Sequence, residues 1–142
     1  MDPALRVRAS FNRQRLMQTI GAVLEDVTPG RVSIRLPFRE DLTQQHGFLH
    51  AGAIASVADS ACGYAALSLM PEDAGVLSIE FKVNMLAPAK GDAIIARAEV
   101  IRSGRNIMVC RADVHAVTGA DEKLCAAMQG TMMVVSGRGL TD

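Results

Sequence analysis

A long stretch of small, mostly apolar residues runs through the middle of the chain and carries a single charged side chain. Between Asp41 and Glu72 the only Asp, Glu, Lys or Arg is Asp59, which lies within the Ala-rich segment 51–70. Pro71 follows this segment, which is long enough for a helix of about five turns. A helix that is apolar on most of its sides is typical of one buried inside a globular protein. We therefore predict a central helix at about residues 50–69, enclosed by the rest of the chain.

The segment has the length of a membrane span, but its composition argues against that interpretation. Asp59 lies near its middle, and three serines dilute a run that is rich in Ala rather than in Leu. The first residues of the chain also lack the apolar stretch of a secretory signal. The cysteines are odd in number and form no Cys-x-x-Cys pair; they are Cys62, Cys110 and Cys125. We expect a reduced, cytoplasmic protein without a membrane anchor or a metal site.

Composition limits the possible partners. The 142 residues suit one domain, 1–142, and 49% of them are hydrophobic, which excludes a disordered chain. Fifteen basic and fifteen acidic residues give a net charge of zero, whereas a nucleic-acid-binding protein would have a basic excess. With four Phe, one Tyr and no Trp, the chain also lacks platforms for stacking bases. We expect no nucleic-acid partner.

Alternating polar and apolar residues predict strands on both sides of the central helix. A hairpin is expected before the helix, and only strands after it; the six predicted strands are 22–27, 31–36, 76–86, 92–103, 106–117 and 123–135. The predicted fold class is therefore α+β, with an antiparallel sheet of about six strands around one long central helix.

We predict a regular helix at the N-terminal end of the chain and no regular structure at its C-terminal end. Residues 4–20 have the spacing of an amphipathic helix with its four arginines in water. Its apolar side is expected to face the protein and comprises Val7, Phe11, Leu16, Met17 and Ile20. The tail, 136–142, is expected to be loose.

This layout, together with Gln44, Gly47, His50-x-Gly52 and Asp59, resembles the hotdog-fold thioesterases, and in particular their PaaI-like (phenylacetyl-CoA thioesterase-like) branch. The segment 75–92 is similar to the family's strand after the helix, and the resemblance covers residues from about 20 to 135. It implies hydrolysis of acyl-CoA thioesters, and we expect the acyl group to be small aromatic or medium-chain. It also implies a dimer whose two sheets join edge to edge, often paired again into a tetramer. No cofactor is implied beyond the coenzyme A of the substrate.

The resemblance also implies roles for residues around the helix. The carboxylate of Asp59 would act as nucleophile or general base, Ser78 would support the water, and Gln44 would help to hold substrate or water, with Gln45 as the alternative. A backbone N–H at the helix start would polarise the thioester carbonyl. Here the family's usual His-Gly-Gly is His50-Ala51-Gly52; Ala51 keeps its N–H, but its methyl group narrows the approach.

Further residues are candidates for contacts with substrate. His50 either caps the helix start or takes part in acid–base chemistry, and the loop residues His46 and Gly47 precede it. A cleft between Phe48, Tyr64 and methionine side chains would take the acyl group. The cations expected in turns or at strand ends, where they can meet the phosphates of CoA, are Lys90, Arg102 and Arg105.

Helix geometry separates the two main parts of this site. A helix N-terminus offers unpaired N–H groups and a positive dipole to a developing oxyanion, and the base must approach from the other side. Asp59 lies nine residues after His50, which corresponds to about 13 Å and about half a turn around the helix. One thioester cannot touch both, so we expect two shared sites in a dimer of antiparallel helices.

Two other functions stay open at this point. A hotdog-fold hydratase or dehydratase would pair an acid with a histidine, and Asp41 and His46 have suggestive spacing, although the glycine-rich hydratase motif is missing. An acyl-CoA-binding protein without activity would keep the cleft but would not need Asp59. In that case Asp59 would be a structural carboxylate that binds neighbouring backbone or serine groups.

Overall fold

Six antiparallel strands form one sheet in the computed structural model, which describes residues 1–142. Three helices and a short 3-10 turn (Glu40–Leu42) complete the chain. In chain order the elements are α1 (Pro3–Phe11), α2 (Arg15–Ile20), β1 (Val23–Thr28), β2 (Arg31–Pro37), α3 (Ala51–Leu67), β3 (Ala74–Met85), β4 (Ala93–Ser103), β5 (Ile107–Thr118) and β6 (Asp121–Ser136). The predicted α+β class is confirmed, and each predicted strand lies within two residues of an observed one.

The central helix α3 lies across one face of the sheet and packs against β2, β3, β4, β5 and β6. Its small side chains bring the backbone of the helix close to the strands, and Ala58, Ala61 and Ala65 are fully buried. The apolar residues of β2 that point to this face, Val32, Ile34 and Leu36, belong to the same core. None of the helices combines the length and the apolar character that crossing a bilayer requires. The helix therefore forms the centre of the core, as its composition predicted.

The strands follow the order β1-β2-β4-β5-β6-β3, so β3 forms one edge of the sheet. A β-bulge between Ser78 and Glu80 interrupts its pairing with β6. Side chains alternate between the two faces of the sheet, and the extra residue at the bulge shifts this alternation by one position. As a result Ser78 faces α3 near the middle of the strand, while Val83 packs against the same core further along.

The prediction of a single N-terminal helix at 4–20 is wrong. Two helices, α1 and α2, are separated by a break at residues 12–14, because tertiary contacts at this point outweigh the continuous amphipathic pattern. Leu16 is 53% exposed rather than packed. Arg6 is only 6% exposed, because its guanidinium donates to the carbonyl oxygens of Met70 and Ala74.

The C-terminal tail is anchored rather than loose. The Asp142 carboxylate accepts a hydrogen bond from the Val76 N–H at 2.8 Å and another from the Ser10 hydroxyl at 3.1 Å. The carbonyl oxygen of Leu140 lies so close to Gly75 that a Cβ built there would meet it at 3.0 Å. The tail therefore closes over the first residues of β3 and the end of α1.

Candidate active site

His50 caps the start of the central helix. Its backbone is extended (φ −63°, ψ 139°), and its Nδ1 accepts a hydrogen bond from the Gly52 N–H at 2.7 Å. A Cβ at Gly52 would lie 3.0 Å from Nδ1, so glycine leaves room for this contact. Because Nδ1 is an acceptor here, the neutral ring carries its proton on Nε2. Of the two roles considered for His50, the geometry supports the capping role.

The N–H of Ala51 is the free donor at this helix start. Ala51 is the first residue of α3 and is exposed, and its N–H has no hydrogen-bond partner in the chain. The Gly52 N–H, by contrast, is already bonded to His50. Unpaired N–H groups at the positive end of a helix dipole attract developing negative charge. Of the two predicted donors, Ala51 is therefore the one available to a carbonyl oxygen.

An apolar pocket lies beside this donor, and we call it the helix-start pocket. Its volume is about 380 Å³. It is lined by Gln44, Phe48, Leu49, Ala51, Ile54, Met85, Leu86, Ala87, Pro88 and Ala89. Gln44 is therefore the glutamine on the pocket side. Gln45, His46 and Gly47 are exposed and do not line it, and the positive φ of Gly47 (82°) lets the loop turn.

Asp59 lies in a second pocket, of about 120 Å³, which we call the Asp59 pocket. The Ser78 hydroxyl, which the resemblance predicts to support the water, donates to Asp59 Oδ1 at 2.7 Å. The pocket is lined by Gln14, Asp59, Ser60, Gly63, Tyr64, Val76, Ser78 and Asp142. Sequence reasoning missed the other five lining residues, because no local pattern brings residues from four parts of the chain together; they are Gln14, Ser60, Gly63, Val76 and Asp142.

The two pockets are separate within one chain and share no lining residue. Ala51 and Asp59 are eight residues apart on α3, or about 12 Å along its axis. The predicted single cleft between Phe48 and Tyr64 is therefore wrong for one chain, since Phe48 lines one pocket and Tyr64 the other. Tyr64 is buried against the edge of Phe11, with ring centroids 5.8 Å apart, and burial raises the pKa of its hydroxyl.

The three predicted phosphate-binding cations are dispersed. Lys90 follows Ala89, a lining residue of the helix-start pocket, and itself lines a pocket of about 300 Å³ that shares Pro88 with it. Arg102 and Arg105 lie at the β4–β5 hairpin and line neither of the two pockets. Within one chain, only Lys90 is next to the candidate site.

The acid–histidine pair expected of a hydratase does not form. Both carboxylate oxygens of Asp41 accept from the Arg39 guanidinium, at 3.0 and 2.7 Å, which lowers the pKa of this acid. His46 is exposed, and its backbone N–H donates to Gln44 Oε1. No group of three His, Cys, Asp or Glu side chains is arranged to hold a metal ion. The geometry therefore gives Asp41 and His46 no shared role.

Cys62 lies one helical turn from Asp59 but is fully buried. Burial strongly raises the pKa of its thiol, so the reactive thiolate is scarce. Cys110, its buried neighbour on β5, has a pKa raised to about 11 by the same cause. Both thiols act as core side chains.

A larger depression, of about 500 Å³, lies on the outer face of the sheet, away from α3. Its arginines are already paired, Arg97 with Glu122 and both Arg31 and Arg111 with Glu99. We place the candidate site at the two smaller pockets around α3, because they hold the unpaired Ala51 N–H and the Asp59 carboxylate.

Comparison with known proteins agrees with this geometry. Residues 46–123 match the family model described as the thioesterase superfamily. A thioesterase family protein from Silicibacter pomeroyi has 50% identity and a TM-score of 0.93, covering 95% of this chain and 99% of that one. The 1,4-dihydroxy-2-naphthoyl-CoA hydrolase of Listeria monocytogenes is 28% identical over 87% of this chain and 98% of its own.

The hotdog fold is confirmed by a more distant structure. The E. coli PaaI protein from the phenylacetic acid degradation operon has a TM-score of 0.86 at 19% identity, with 96% of this chain and 95% of that chain covered. The sheet wrapped around one long helix is thus shared across widely divergent sequences.

Proposed function

This chain belongs to the thioesterase superfamily, as a PaaI-like hotdog member, and from that premise we propose that it hydrolyses acyl-CoA thioesters to a free acid and coenzyme A. The observation that carries the proposal is the division of the site into two half-sites. One offers the unpaired Ala51 N–H beside an apolar pocket, and the other offers Asp59 with its Ser78 donor. Each lacks what the other supplies for acyl transfer.

The edge strand β3 provides a way to join the half-sites of two chains. It is twelve residues long, and its outer edge has no partner strand. Leu77 and Ile79 are 51% and 52% exposed, and Phe81 and Met85 are also exposed. A long, apolar, unpaired edge is a template for pairing with another strand. We propose that two copies pair antiparallel through β3 and form a symmetric dimer.

Antiparallel pairing would place the right parts opposite each other. In a pair centred on the strand, the Met85 end of one β3 lies beside the Ala74 end of the other. Met85 lines the helix-start pocket, while Val76 and Ser78 line the Asp59 pocket. The helix-start pocket of one copy would therefore adjoin the Asp59 pocket of its mate, giving two equal sites per dimer.

In this site the thioester carbonyl oxygen would accept from the Ala51 N–H, and the carboxylate of Asp59 from the other copy would take a proton from water. The water oxygen forms a bond to the carbonyl carbon, and the resulting oxyanion is held by Ala51 N–H and the helix dipole. The C–S bond then breaks, the protonated Asp59 gives its proton to the leaving sulfur, and coenzyme A leaves as the thiol. Direct attack by Asp59, with hydrolysis of the resulting anhydride, uses the same groups. Either route needs only water and the chain's own residues.

The proposal is tested by measuring thiol release over a panel of aromatic and aliphatic acyl-CoAs, with Asp59→Asn as the paired variant. We expect turnover with the natural chain and a loss of at least about a hundredfold in kcat with Asp59→Asn. Asp113→Asn is the matched control, because Asp113 is an exposed carboxylate on the outer face of β5, away from both pockets. Hydration of an enoyl-CoA, or tight binding of acyl-CoA without thiol release, would contradict the proposal.

A further inference from the structure

The C-terminal tail binds the outer edge of β3, the edge that is proposed above to pair with a second copy. The Asp142 carboxylate accepts a hydrogen bond from the Val76 N–H through Oδ2 at 2.8 Å. Val76 lies opposite Val134 of β6, whose own N–H donates away from β3, to the Asn106 carbonyl oxygen. In an antiparallel ladder, two opposite residues either exchange both hydrogen bonds or make none with each other. The Val76 N–H therefore points to the outer edge of the sheet, where Asp142 binds it.

The proposed dimer needs the same N–H group. In an antiparallel pair centred on β3, Val76, two residues from the start of the strand, lies opposite Val83, two residues from its end. At that end the Leu86 N–H donates inward, to the Cys125 carbonyl oxygen. Because backbone groups alternate between the two edges of a strand, those of Val83 point outward. Val76 and Val83 of two copies are thus placed to exchange hydrogen bonds, and the second copy competes with the tail.

Hydrogen bonds hold the tail in place. The Ser10 hydroxyl donates to Asp142 Oδ1 at 3.1 Å, and Arg6 Nε donates to the Asp142 carbonyl oxygen at 3.3 Å. Residues 136–141 are exposed, and only Asp142 is half-buried. Such contacts contribute little net stability, because each hydrogen bond replaces one to water. A second strand that supplies a ladder of hydrogen bonds and covers the exposed Leu77 and Ile79 is able to displace the tail.

Displacement of the tail would also change the Asp59 pocket. Asp142 lines this pocket, and so does Val76, whose N–H it binds. While the tail is in place, a second carboxylate therefore faces the cavity of about 120 Å³ that contains Asp59. When the other copy takes the Val76 N–H, this carboxylate loses its backbone partner, and the cavity opens on that side.

We propose that the C-terminal tail occupies the outer edge of β3 in the single chain and is displaced from Val76 when a second copy pairs there. This inference goes beyond the proposed thioesterase activity and rests on the pairing through β3. Formation of the dimer then opens the Asp59 pocket in the same step that brings the helix-start pocket of the other copy to it. The single chain keeps this half-site closed.

The first experiment measures how strongly the tail opposes dimerisation. Sedimentation velocity over a dilution series gives the dissociation constant of the dimer for the natural chain and for Asp142→Ala, which loses the contact with Val76. We expect Asp142→Ala to lower this constant roughly tenfold, because both copies must release their tails and a factor of about three for each copy multiplies. Asp73→Ala is the matched control, since Asp73 is an exposed carboxylate in the loop before β3, and its dissociation constant should equal that of the natural chain.

The second experiment follows the tail itself. Thr141 is exposed and the three cysteines of the chain are buried, so a nitroxide label on Thr141→Cys attaches at one position. At concentrations where sedimentation shows only dimer, we expect the electron paramagnetic resonance spectrum of a mobile tail. The same label on Ala120→Cys, in the turn between β5 and β6, is the control for an exposed position that the dimer leaves in place.

The inference is overturned if Asp142→Ala dimerises no more tightly than the natural chain, or if the label on Thr141→Cys is as immobile in the dimer as the label on Ala120→Cys. It is overturned together with the pairing through β3 if neither the natural chain nor Asp142→Ala dimerises. Neither experiment uses substrate, so failure of the proposed function is visible separately. A displaced tail without thiol release removes the thioesterase proposal and keeps the inference, whereas thiol release with an immobile tail removes the inference alone.

Discussion

Replacing Ala51 with proline removes one N–H from the helix start and should leave the fold intact. Ala51 is the first residue of α3, where proline is favourable, and its N–H bonds to nothing in the chain, so no hydrogen bond is lost. The preceding residue, His50, has ψ 139°, within the range that a following proline requires. We therefore expect the free energy of unfolding of Ala51→Pro to stay within about 1 kcal/mol of the natural value.

The effect on catalysis should be much larger. If the Ala51 N–H holds the oxyanion, its removal takes away about 3 to 4 kcal/mol of transition-state stabilisation, equivalent to a fall in kcat of roughly 10² to 10³. KM should change little, because this donor is stronger towards the charged oxygen than towards the neutral thioester. Initial rates of thiol release give kcat and KM, and calorimetric unfolding gives the stability of the same preparation.

Ala51→Val separates the lost donor from the added bulk. Valine has a volume similar to that of proline but keeps the N–H, so we expect it to retain activity within about tenfold. If Ala51→Pro unfolds normally and keeps the natural kcat, the assignment of the oxyanion donor is refuted. If Ala51→Val is as inactive as Ala51→Pro, steric exclusion explains the loss and the donor argument has no support.

The other predictions follow from the same contacts. Mixing Ala51→Pro and Asp59→Asn chains after refolding should restore about a quarter of natural activity, since about half of the dimers then contain one intact site; inactive, verified heterodimers would contradict a shared site. Ser78→Ala should lower kcat roughly tenfold through loss of the hydrogen bond to Asp59, with Ser33→Ala on the outer face as the unaffected control. Arg6→Met leaves two buried carbonyl groups without a donor and should lower the free energy of unfolding by about 2 to 4 kcal/mol, measured in urea against the exposed Arg8→Met. Cys62 should resist alkylation by iodoacetamide at pH 8 in the folded protein and react after unfolding, since burial raises the pKa of its thiol; rapid native labelling, followed by mass spectrometry, would refute this.

Local patterns predicted most of the secondary structure. In α3, β2 and β5 the apolar residues are the ones whose side chains enter the core. Their spacing along the sequence therefore predicts the helix and the strands directly. The same reasoning failed at residues 12–14, where the amphipathic pattern continues through the break. The hydrogen bond from Ser60 to Gln14 stabilises that region from 46 positions away, which no local window includes.

The candidate site was predictable as separate parts but not as an arrangement. Asp59 stands out because it is the one charged residue in an apolar segment. The resemblance predicted that Ser78 supports the water, but it did not predict the 2.7 Å hydrogen bond from Ser78 to Asp59. The choice between Ala51 and Gly52 as donor depended on the side chain of His50, whose Nδ1 occupies one N–H and leaves the other free. Which strand forms the sheet edge depends on the pairing of β3 with β6, across more than forty residues of sequence.

Dimerisation through β3 would cover the exposed edge of that strand and would also join the two half-sites. An unpaired edge strand of this length with apolar side chains favours association of the chains, a hazard that many proteins prevent with charges or prolines. The two halves of the site lie on one rigid helix, about 12 Å apart, and no bending of that helix short of breaking it would bring them together. Pairing two copies through β3 covers the edge and closes the site in one step. Because Ser78 lies on this strand at the bulge and contacts Asp59, the strand proposed to join the two copies also contacts the proposed base. Stability of the dimer and activity should therefore fall together when the edge is disrupted, whereas changes on the outer face of β2 should affect neither.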